Sequence, residues 1–340
     1  MRLYFDYAAS TPVDQRVTGA MSPYFRRKFG NPGSLHSFGQ EALAAVDRAR
    51  ETIARAVGAD FREMIFTGSA TEANNLAIKG LFRGAKKIGA IRGKPRVIVS
   101  SIEHESVLEA AHALKEEGAE IAYLPVSRAG IIDLSELSSL LDDQTVLVSV
   151  IAVSNEVGAL EPIARIGETI RRWRGSGVFP LFHSDAAQAL QFLDCDVRAL
   201  GVDMLTLSAH KIYGPKGIGA LYVKNIEFRG QDLGGLKKRR ERLPLNPKSY
   251  FLTPLVVGGG QEFGLRSGTE NVPLIVGFGK ALELVLESRE RESRRTQDLK
   301  TRFFEGLRSI IPEIAINGPE LRDGIPHILN VHIPHQKSED

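Results

Sequence analysis

Short apolar segments alternate with amphipathic segments along residues 62–223 of the chain. Seven of the apolar segments are rich in β-branched or aromatic residues and are bounded by glycine, serine or charged residues, which is typical of buried strands. They read EMIFTG, RVIVSS, EIAYLPV, TVLVSVIAV, FPLFHSDA, DMLTLSA and GIGALYV. Segments with helical periodicity, such as TEANNLAIKGLFRG and IARIGETIRRWRG, lie between most of them. This alternation predicts an α/β fold with a mostly parallel sheet and helices on both faces.

Helical patterns also flank this core. One covers residues 37–57, and a longer one covers residues 271–311, before the strand-like segment HILNVHI. The segment 227–254 is basic and rich in glycine and proline, so we interpret it as a solvated connection. A docking patch for an acidic partner is the weaker alternative. A chain of 340 residues is long enough for two domains.

Composition narrows the class of protein. The chain is 43% hydrophobic and 25% charged, as ordinary globular proteins are. Its formal net charge of +3 is too small to indicate binding to nucleic acid or to a membrane surface. No apolar run approaches the ~20 residues of a membrane span, and the N-terminus lacks a signal-peptide pattern. The single cysteine, Cys195, excludes an intramolecular disulfide and a multi-cysteine metal site. We expect a cytoplasmic protein.

The segments that follow the predicted strands are the places to look for a site, because α/β sheets bind ligands beyond the carboxyl ends of their strands. In IFTGSATEANN, a strand leads through Gly68, Ser69 and Ala70 into a helix with Thr71 in its first turn. Free backbone N–H groups and the helix dipole at such a turn suit a phosphate. An ordinary helix cap explains the same residues equally well.

Polar residues follow three further strands. His104 comes after RVIVSS, Asn155 comes after TVLVSVIAV, and Asp185 ends an apolar strand in FPLFHSDA. Taken alone, a structural histidine, a turn-forming asparagine and a helix-capping aspartate would account for them. A carboxylate at the end of an apolar strand, however, is costly unless a cation compensates it. A protonated ring nitrogen of a cofactor would serve as that cation.

Two lysines lie five residues apart in LSAHKIYGPKGIGALYV. Lys211 follows a buried strand, where a depressed pKa would make its amine a nucleophile toward an aldehyde. Lys216 lies in a glycine-rich turn that does not match the P-loop pattern GxxxxGK(S/T). Lys211 is therefore the better candidate for a Schiff base. A phosphate turn, an imidazole, Asp185 and Lys211 together suit pyridoxal phosphate.

The chain resembles the cysteine desulfurase family, in the class V branch of fold type I pyridoxal-phosphate enzymes. The resemblance is carried by YFDYAASTPVD, FGNPGSLHSFGQEA, IFTGSATEANNLAIKG, EHESVL, SNEVGAL, HSDAAQ, SAHKIYGPKGIGALYV, GGGQEFGLRSGTENV and HILNV. It implies a mostly parallel seven-stranded sheet with helices on both faces and a smaller α+β domain. Residues 15–260 would form the large cofactor-binding domain. Residues 1–14 and 261–340 would form the small domain, C-terminally incomplete here.

The resemblance also implies the roles of individual residues. Lys211 would bind pyridoxal phosphate as a Schiff base and then move protons, and His104 would stack on the ring and share in proton transfer. Asn155 would contact the ring hydroxyl and the substrate carboxylate. The implied cofactor-binding residues are Ala70, Thr71, His104, Asn155, Asp185, Gln188, Ser208, His210, Lys211 and Thr269.

Within that set, Asp185 would pair with the ring nitrogen and Gln188 with the ring hydroxyl. Thr71 and the backbone at Ala70 would hold the phosphate, together with Ser208 and His210. A second contact to the phosphate is implied from Thr269, which in the family reaches across a dimer interface. The resemblance therefore implies a homodimer.

The implied reaction converts L-cysteine to L-alanine and passes the sulfur as a persulfide to an acceptor, such as an iron–sulfur scaffold or a tRNA-thiolation protein. In the family, the catalytic cysteine lies on a loop beyond the strand ILNV, and the arginine for the substrate carboxylate lies further on. Cys195 does not match that cysteine, and Arg266 does not match that arginine. We expect a truncated form with little activity of its own. The alternatives are a non-enzymatic cofactor-binding scaffold and another class V lyase or aminotransferase.

A metal site was a further alternative. His327, His332 and His335 lie close together in the sequence. Alternation along a strand would place His327 and His332 on opposite faces, and no acidic or thiol companion accompanies them. We expect no metal site.

Overall fold

Seven strands form one sheet in the computed structural model, which describes residues 3–87, 89, 93–224 and 252–336. They are β1 Met64–Thr67, β2 Arg96–Ser100, β3 Glu120–Leu124, β4 Thr145–Ser149, β5 Leu181–Asp185, β6 Met204–Ser208 and β7 Gly219–Val223. Each lies within one of the seven segments predicted from the sequence, so the predicted fold class is confirmed. The spatial order is β1-β7-β6-β5-β4-β2-β3.

The direction of the strands gathers the loops at one edge. Neighbouring strands from β3 through β2, β4, β5 and β6 are parallel, and β7 is antiparallel to both β6 and β1. As a result, β1 runs in the same direction as the parallel strands. The carboxyl ends of β1, β2, β4, β5 and β6 therefore lie at the same edge. At the start of β7, a Cβ on Gly219 would lie 2.6 Å from the carbonyl carbon of Ser69, so only glycine lets the loop after β1 approach this closely.

Ten α-helices surround the sheet in the described ranges. They are α1 Gln15–Met21, α2 Pro23–Arg26, α3 Ser37–Ala56, α4 Ala70–Asn75, α5 Leu81–Lys87, α6 Glu105–Ala113, α7 Leu134–Leu140, α8 Ile163–Arg174, α9 Val197–Leu200 and α10 Val272–Ile310. A π-helical turn, Leu76–Gly80, joins α4 to α5, and 3₁₀ turns cover Phe61–Glu63 and Glu262–Gly264. Two helices that follow strands of the sheet begin at the candidate site. Ser69, beside the predicted phosphate-binding residues, caps α4, and the predicted site residue His104 caps α6.

The core has two parts because side chains alternate along each strand. On β2, Ile98 belongs to one apolar cluster, while Val97 and Val99 belong to the other. The first cluster includes residues of α3, α8 and α10, and the second includes residues of α4, α5 and α6. Helices thus cover both faces, as predicted. No helix in the described ranges is long and apolar enough to cross a membrane.

The C-terminal part departs from the expectation in one respect. The predicted strand HILNVHI is paired only at its end, where β9 Val331–His332 pairs with β8 Ala315–Ile316. The preceding residues pack against the large sheet instead: the N–H of Ile325 donates to the Gly158 carbonyl, and Ile328 is buried. The basic segment predicted as a connection lies mostly outside the described residues. The division into two domains stays a prediction.

Candidate active site

A cavity of about 470 Å³ opens at the carboxyl edge of the sheet. Its volume is typical of pockets that bind small molecules. Nine of the ten residues predicted to bind a cofactor line it: Ala70, Thr71, His104, Asn155, Asp185, Gln188, Ser208, His210 and Lys211. They come from the ends of β1, β2, β4, β5 and β6 and the loops that follow. The tenth, Thr269, is exposed and does not line the cavity.

Asp185 is the last residue of β5 and is only 4% exposed. Its Oδ1 accepts the N–H of Ala187 at 2.9 Å, and its Oδ2 accepts the side-chain amide of Asn74 at 2.7 Å. Burial raises the pKa of Asp185, and these two donors, together with His104 and Lys211, oppose that rise. The carboxyl group therefore has neutral donors on the protein side and an open cavity on the other.

Lys211 lies in the turn after β6. Its Nζ donates to the carbonyl oxygens of Ala8 and Ala9, at 2.5 and 2.9 Å. Burial lowers the pKa of Lys211, and Asp185 and Asp6 act in the opposite direction. The N-terminal segment thus closes one side of the cavity and holds the amine within it. Sequence reasoning assigned no site role to Ala8 and Ala9.

His104 lies between β2 and α6 and takes part in a chain of side-chain hydrogen bonds. Its Nδ1 accepts the N–H of Ser106 at 3.1 Å and lies 2.8 Å from Ser106 Oγ. Ser106 Oγ in turn accepts from Asn74 Nδ2 at 2.8 Å, and the same amide nitrogen donates to Asp185. Asn74 and Ser106 were not predicted from the sequence. Their signal was present, because Asn74 lies one helical turn beyond Thr71 and Ser106 lies two residues beyond His104.

The turn after β1 presents backbone donors to the cavity. The N–H groups of Ala70 and Thr71 have no acceptor among the described residues, whereas the N–H of Glu72 donates to Ser69 Oγ. Such unpaired donors are what the first turn of a helix offers to an anion. The Glu72 side chain fixes this turn, since its Oε2 accepts the N–H of Gly68 at 2.7 Å and its Oε1 accepts Arg266 Nε at 2.9 Å.

Ser208 and His210 lie beside this turn at the end of β6. Ser208 is buried and His210 is partly buried. Burial lowers the pKa of His210 to about 4, with Lys211 and Lys216 adding to the effect. The imidazole is therefore neutral at pH 7. Thr11 fastens the N-terminal segment here, because its Oγ1 donates to the His210 carbonyl at 2.8 Å.

Both polar atoms of the Gln188 side-chain amide have hydrogen-bond partners. Nε2 donates to the Ala8 carbonyl at 2.8 Å, and Oε1 lies 3.0 Å from His327 Nε2. The ring of His327 also stacks on Phe192, with 4.8 Å between the ring centroids. Sequence reasoning weighed His327 as a metal ligand, but the fold brings it to Gln188 at the cavity. Asn155 lines the cavity as well and donates to Glu156 Oε1 at 2.7 Å.

Residues 3–340 match the family described as Aminotransferase class-V. The chain belongs to the class-V aminotransferase family. The match covers nearly every residue of the chain. It therefore includes the sequence motifs named above and the residues that line the cavity.

Cysteine desulfurases are among the class-V relatives that this chain resembles. It is 46% identical over 319 residues to the cysteine desulfurase IscS of Rickettsia felis, and the match covers 93% of this chain and 70% of that protein. A solved NifS-like protein superposes with a TM-score of 0.85 at 35% identity, over 99% of this chain and 83% of the other. SspA in complex with cysteine superposes with a TM-score of 0.78 at 37% identity, over 98% and 84%.

Behind the cavity of this class-V chain lies a buried carboxyl group that sequence reasoning missed. Glu103 is adjacent to His104, and its Oε1 accepts the hydroxyl of Ser100 at 2.6 Å and the N–H of Ile151 at 2.5 Å. Burial raises the pKa of Glu103 to about 8. Ile151 lines the cavity, so the Glu103 side chain joins the segments that follow β2 and β4. Its position after an apolar strand was the signal for it.

The other residues that the sequence analysis weighed for a functional role do not line the cavity. Lys216 is exposed and does not line the cavity. Cys195 is 2% exposed, and burial raises the pKa of its thiol to about 12. It does not line the cavity either, which agrees with its interpretation as a packed residue. Arg266 pairs with Glu72 rather than facing the cavity.

Proposed function

We propose that the chain is a pyridoxal-phosphate-dependent cysteine desulfurase that converts L-cysteine to L-alanine and delivers the sulfur as a persulfide. The proposal is carried by one observation: an amine, a buried carboxyl group and unpaired backbone donors converge on one cavity in a chain that is 46% identical to a cysteine desulfurase.

The donor set fits pyridoxal phosphate. Asp185 is buried, and no cationic side chain in the described ranges is hydrogen-bonded to it, which suits a cationic ring N–H. The free N–H groups of Ala70 and Thr71 suit a phosphate, and Ser208 and His210 lie on the same side of the cavity. Lys211 supplies the amine that would hold the aldehyde carbon. When bound, the cofactor supplies an electron-withdrawing ring that acidifies the Cα–H bond of an attached amino acid.

The chain's own residues then perform defined tasks. The Lys211 amine, with its lowered pKa, takes the proton from Cα and later returns one. Asp185 would keep the ring nitrogen of the bound cofactor protonated. His104 covers the cavity at the end of β2 and exchanges protons with the substrate, and Asn155 orients the substrate carboxylate.

The sulfur acceptor thiol is not supplied by Cys195. A buried thiol with a raised pKa carries almost no thiolate at neutral pH and does not reach the cavity. We therefore propose that this 340-residue polypeptide releases alanine from cysteine slowly unless a thiol is provided. A catalytically impaired cofactor-binding scaffold remains the second candidate function, and the burial of Cys195 favours it.

We also propose the assembly and the setting. Thr269 is exposed, and its loop is fastened near the phosphate turn by the Arg266–Glu72 pair, as expected if it serves the cavity of a second copy in a homodimer. The protein partner would be a sulfur acceptor for iron–sulfur assembly or tRNA thiolation. We propose a cytoplasmic location and no direct contact with nucleic acid or membrane.

The proposal is tested by reducing the cofactor-loaded protein with borohydride and mapping the labelled peptide. The pyridoxyl group is expected on Lys211, and label on Lys216 would overturn the assignment. Alanine formation from L-cysteine is then measured with and without added dithiothreitol. Stimulation by the thiol supports a desulfurase, and cofactor binding with no alanine under either condition supports the scaffold.

A further inference from the structure

Two side chains outside the proposed cofactor set connect Asp185 to His104. Asn74 Nδ2 donates to Asp185 Oδ2 at 2.7 Å and to Ser106 Oγ at 2.8 Å, and Ser106 Oγ lies 2.8 Å from His104 Nδ1. Asn74 is fully buried, and Ser106 is 9% exposed and lines the cavity. The buried Oδ1 of Asn74 has no partner in the described ranges, and the side chain is held by its two donated bonds alone.

The direction of each bond follows from the number of hydrogens available. An amide nitrogen carries two hydrogens and accepts none, so Asn74 gives one to Asp185 and the other to Ser106. Ser106 Oγ is thereby an acceptor from Asn74, and its own hydrogen points to His104 Nδ1. The reverse orientation of the amide would remove the donated hydrogen from Asp185 Oδ2, and with the carboxyl group ionised it would leave two acceptors facing each other.

Nδ1 of His104 consequently faces two donors, the hydroxyl and the backbone N–H of Ser106. A ring nitrogen that accepts these hydrogens carries no proton of its own. In the neutral imidazole the proton must then be on Nε2. Nε2 has no hydrogen-bond partner among the described residues, and His104 lines the cavity.

We propose that Asn74 and Ser106 are positioning residues that fix the proton of His104 on Nε2, so that the neutral imidazole offers an N–H donor to the substrate. This inference rests on the proposed function for the identity of the substrate. A donor at this place recognises a lone-pair acceptor, such as the sulfur or carboxylate of an amino acid. It also makes His104 begin as a proton donor, because Nε2 has no free lone pair with which to act as a base.

A purely structural role is the alternative. Asn74 lies on α4 and Ser106 on α6, so their bond would also tie two packed helices together. That role predicts a loss of stability on substitution and no change in the proton distribution of the imidazole. The two roles therefore differ in whether substitution changes the proton distribution of the His104 imidazole, which can be observed directly.

The test uses protein labelled with ¹⁵N in its histidines and free of cofactor and cysteine. Two-bond ¹H–¹⁵N correlation spectra show which ring nitrogen carries the proton, and His104→Gln identifies the signals of His104. The wild-type protein is expected to carry the proton on Nε2. In Ser106→Ala, the Nδ1 resonance is expected to shift downfield because one donor is lost, and Ser106→Thr restores the hydroxyl and the wild-type position.

Ser138→Ala is the matched control, since the Ser138 hydroxyl donates only to the Leu134 carbonyl within α7. It should leave the His104 signals unchanged. A proton on Nδ1 in the wild type, or coincident His104 spectra for wild type and Ser106→Ala, would overturn the proposal. Should Ser106→Ala fail to fold, the wild-type spectrum decides alone, because a proton on Nδ1 of His104 contradicts the proposal without any variant. Because neither cofactor nor substrate is present, failure here and failure of the borohydride test are independent.

Discussion

Two buried carboxylates in this chain have opposite surroundings. Glu262 is held by Arg50 through two bonds of 2.7 Å, with the Phe66 N–H adding a third at 2.8 Å. Among the residues that the structure describes, Asp185 accepts hydrogen bonds only from the neutral groups of Asn74 and Ala187, and a cavity lies before it. A buried carboxylate with its cation in the protein is a structural element. One without such a cation is prepared for a cationic ligand.

The Arg50–Glu262 pair is further enclosed by aromatic rings. The guanidinium lies 4.7 Å from the ring centroid of Phe66 and 5.1 Å from that of Phe263. Glu262 has a φ of 49°, a left-handed conformation that is unfavourable for a residue with a Cβ. Its carboxylate contacts offset this cost.

Glu262→Gln is expected to give the largest effect, because it leaves the buried Arg50 charge without a compensating carboxylate. The free energy of unfolding should fall by about 3–5 kcal/mol, measured by urea denaturation. Glu51→Gln, which breaks the exposed pair with Arg55, should cost below about 0.5 kcal/mol. Equal losses in the two variants would contradict the structural role of Glu262.

Asp185→Asn is expected to lower activity strongly without lowering stability. Alanine formation with added thiol should fall by about 100-fold or more, the size associated with losing an electrostatic contact to the reacting system. Stability of the cofactor-free protein should not decrease, because burial already disfavours the Asp185 charge. A loss of stability as large as that of Glu262→Gln would remove the distinction between the two carboxylates.

Glu103 is a further buried carboxyl group, and its contribution to the free energy of unfolding should depend on pH. Burial raises its pKa from an ordinary value of 4.5 to about 8, so the folded state binds a proton that the unfolded state has released. Its contribution to stability is thus complete below about pH 4.5 and is lost as the pH rises toward about 8. Urea denaturation across this window should show a smaller decline for Glu103→Gln than for the wild type. The exposed neighbour substitution Glu105→Gln should leave the wild-type decline unchanged, and an unchanged slope in Glu103→Gln would contradict the assignment.

Cys195 gives the smallest expected effect. Its thiol is buried and its raised pKa disfavours the thiolate, so it should react with a thiol reagent only after unfolding in urea. Cys195→Ala should also leave alanine formation with added dithiothreitol unchanged. Rapid labelling of the native protein, or loss of activity in Cys195→Ala, would make Cys195 a candidate nucleophile after all.

Local patterns in the sequence were sufficient to predict the strands of the large sheet and most of the residues that line the cavity. Each of the seven strands predicted for residues 62–223 was found, because apolar runs of β-branched residues between turn signals favour buried strands. Parallel strands bring their carboxyl ends together, so Thr71, His104, Asp185 and Lys211 could be expected at one edge. The same logic could not extend to HILNVHI, whose first residues pack on a loop of the large sheet rather than pairing.

By itself, the sequence determined which residue types follow each strand, since these are local features of a chain with strong hydrophobic periodicity. Only the tertiary structure decided what those residues touch. The bonds from Asn74 to Asp185 and Ser106, the contact of Lys211 with Ala8 and the meeting of Gln188 with His327 join positions 32 to 203 residues apart. Contacts across such distances depend on how helices and loops pack on the sheet, and no periodicity along the chain encodes them.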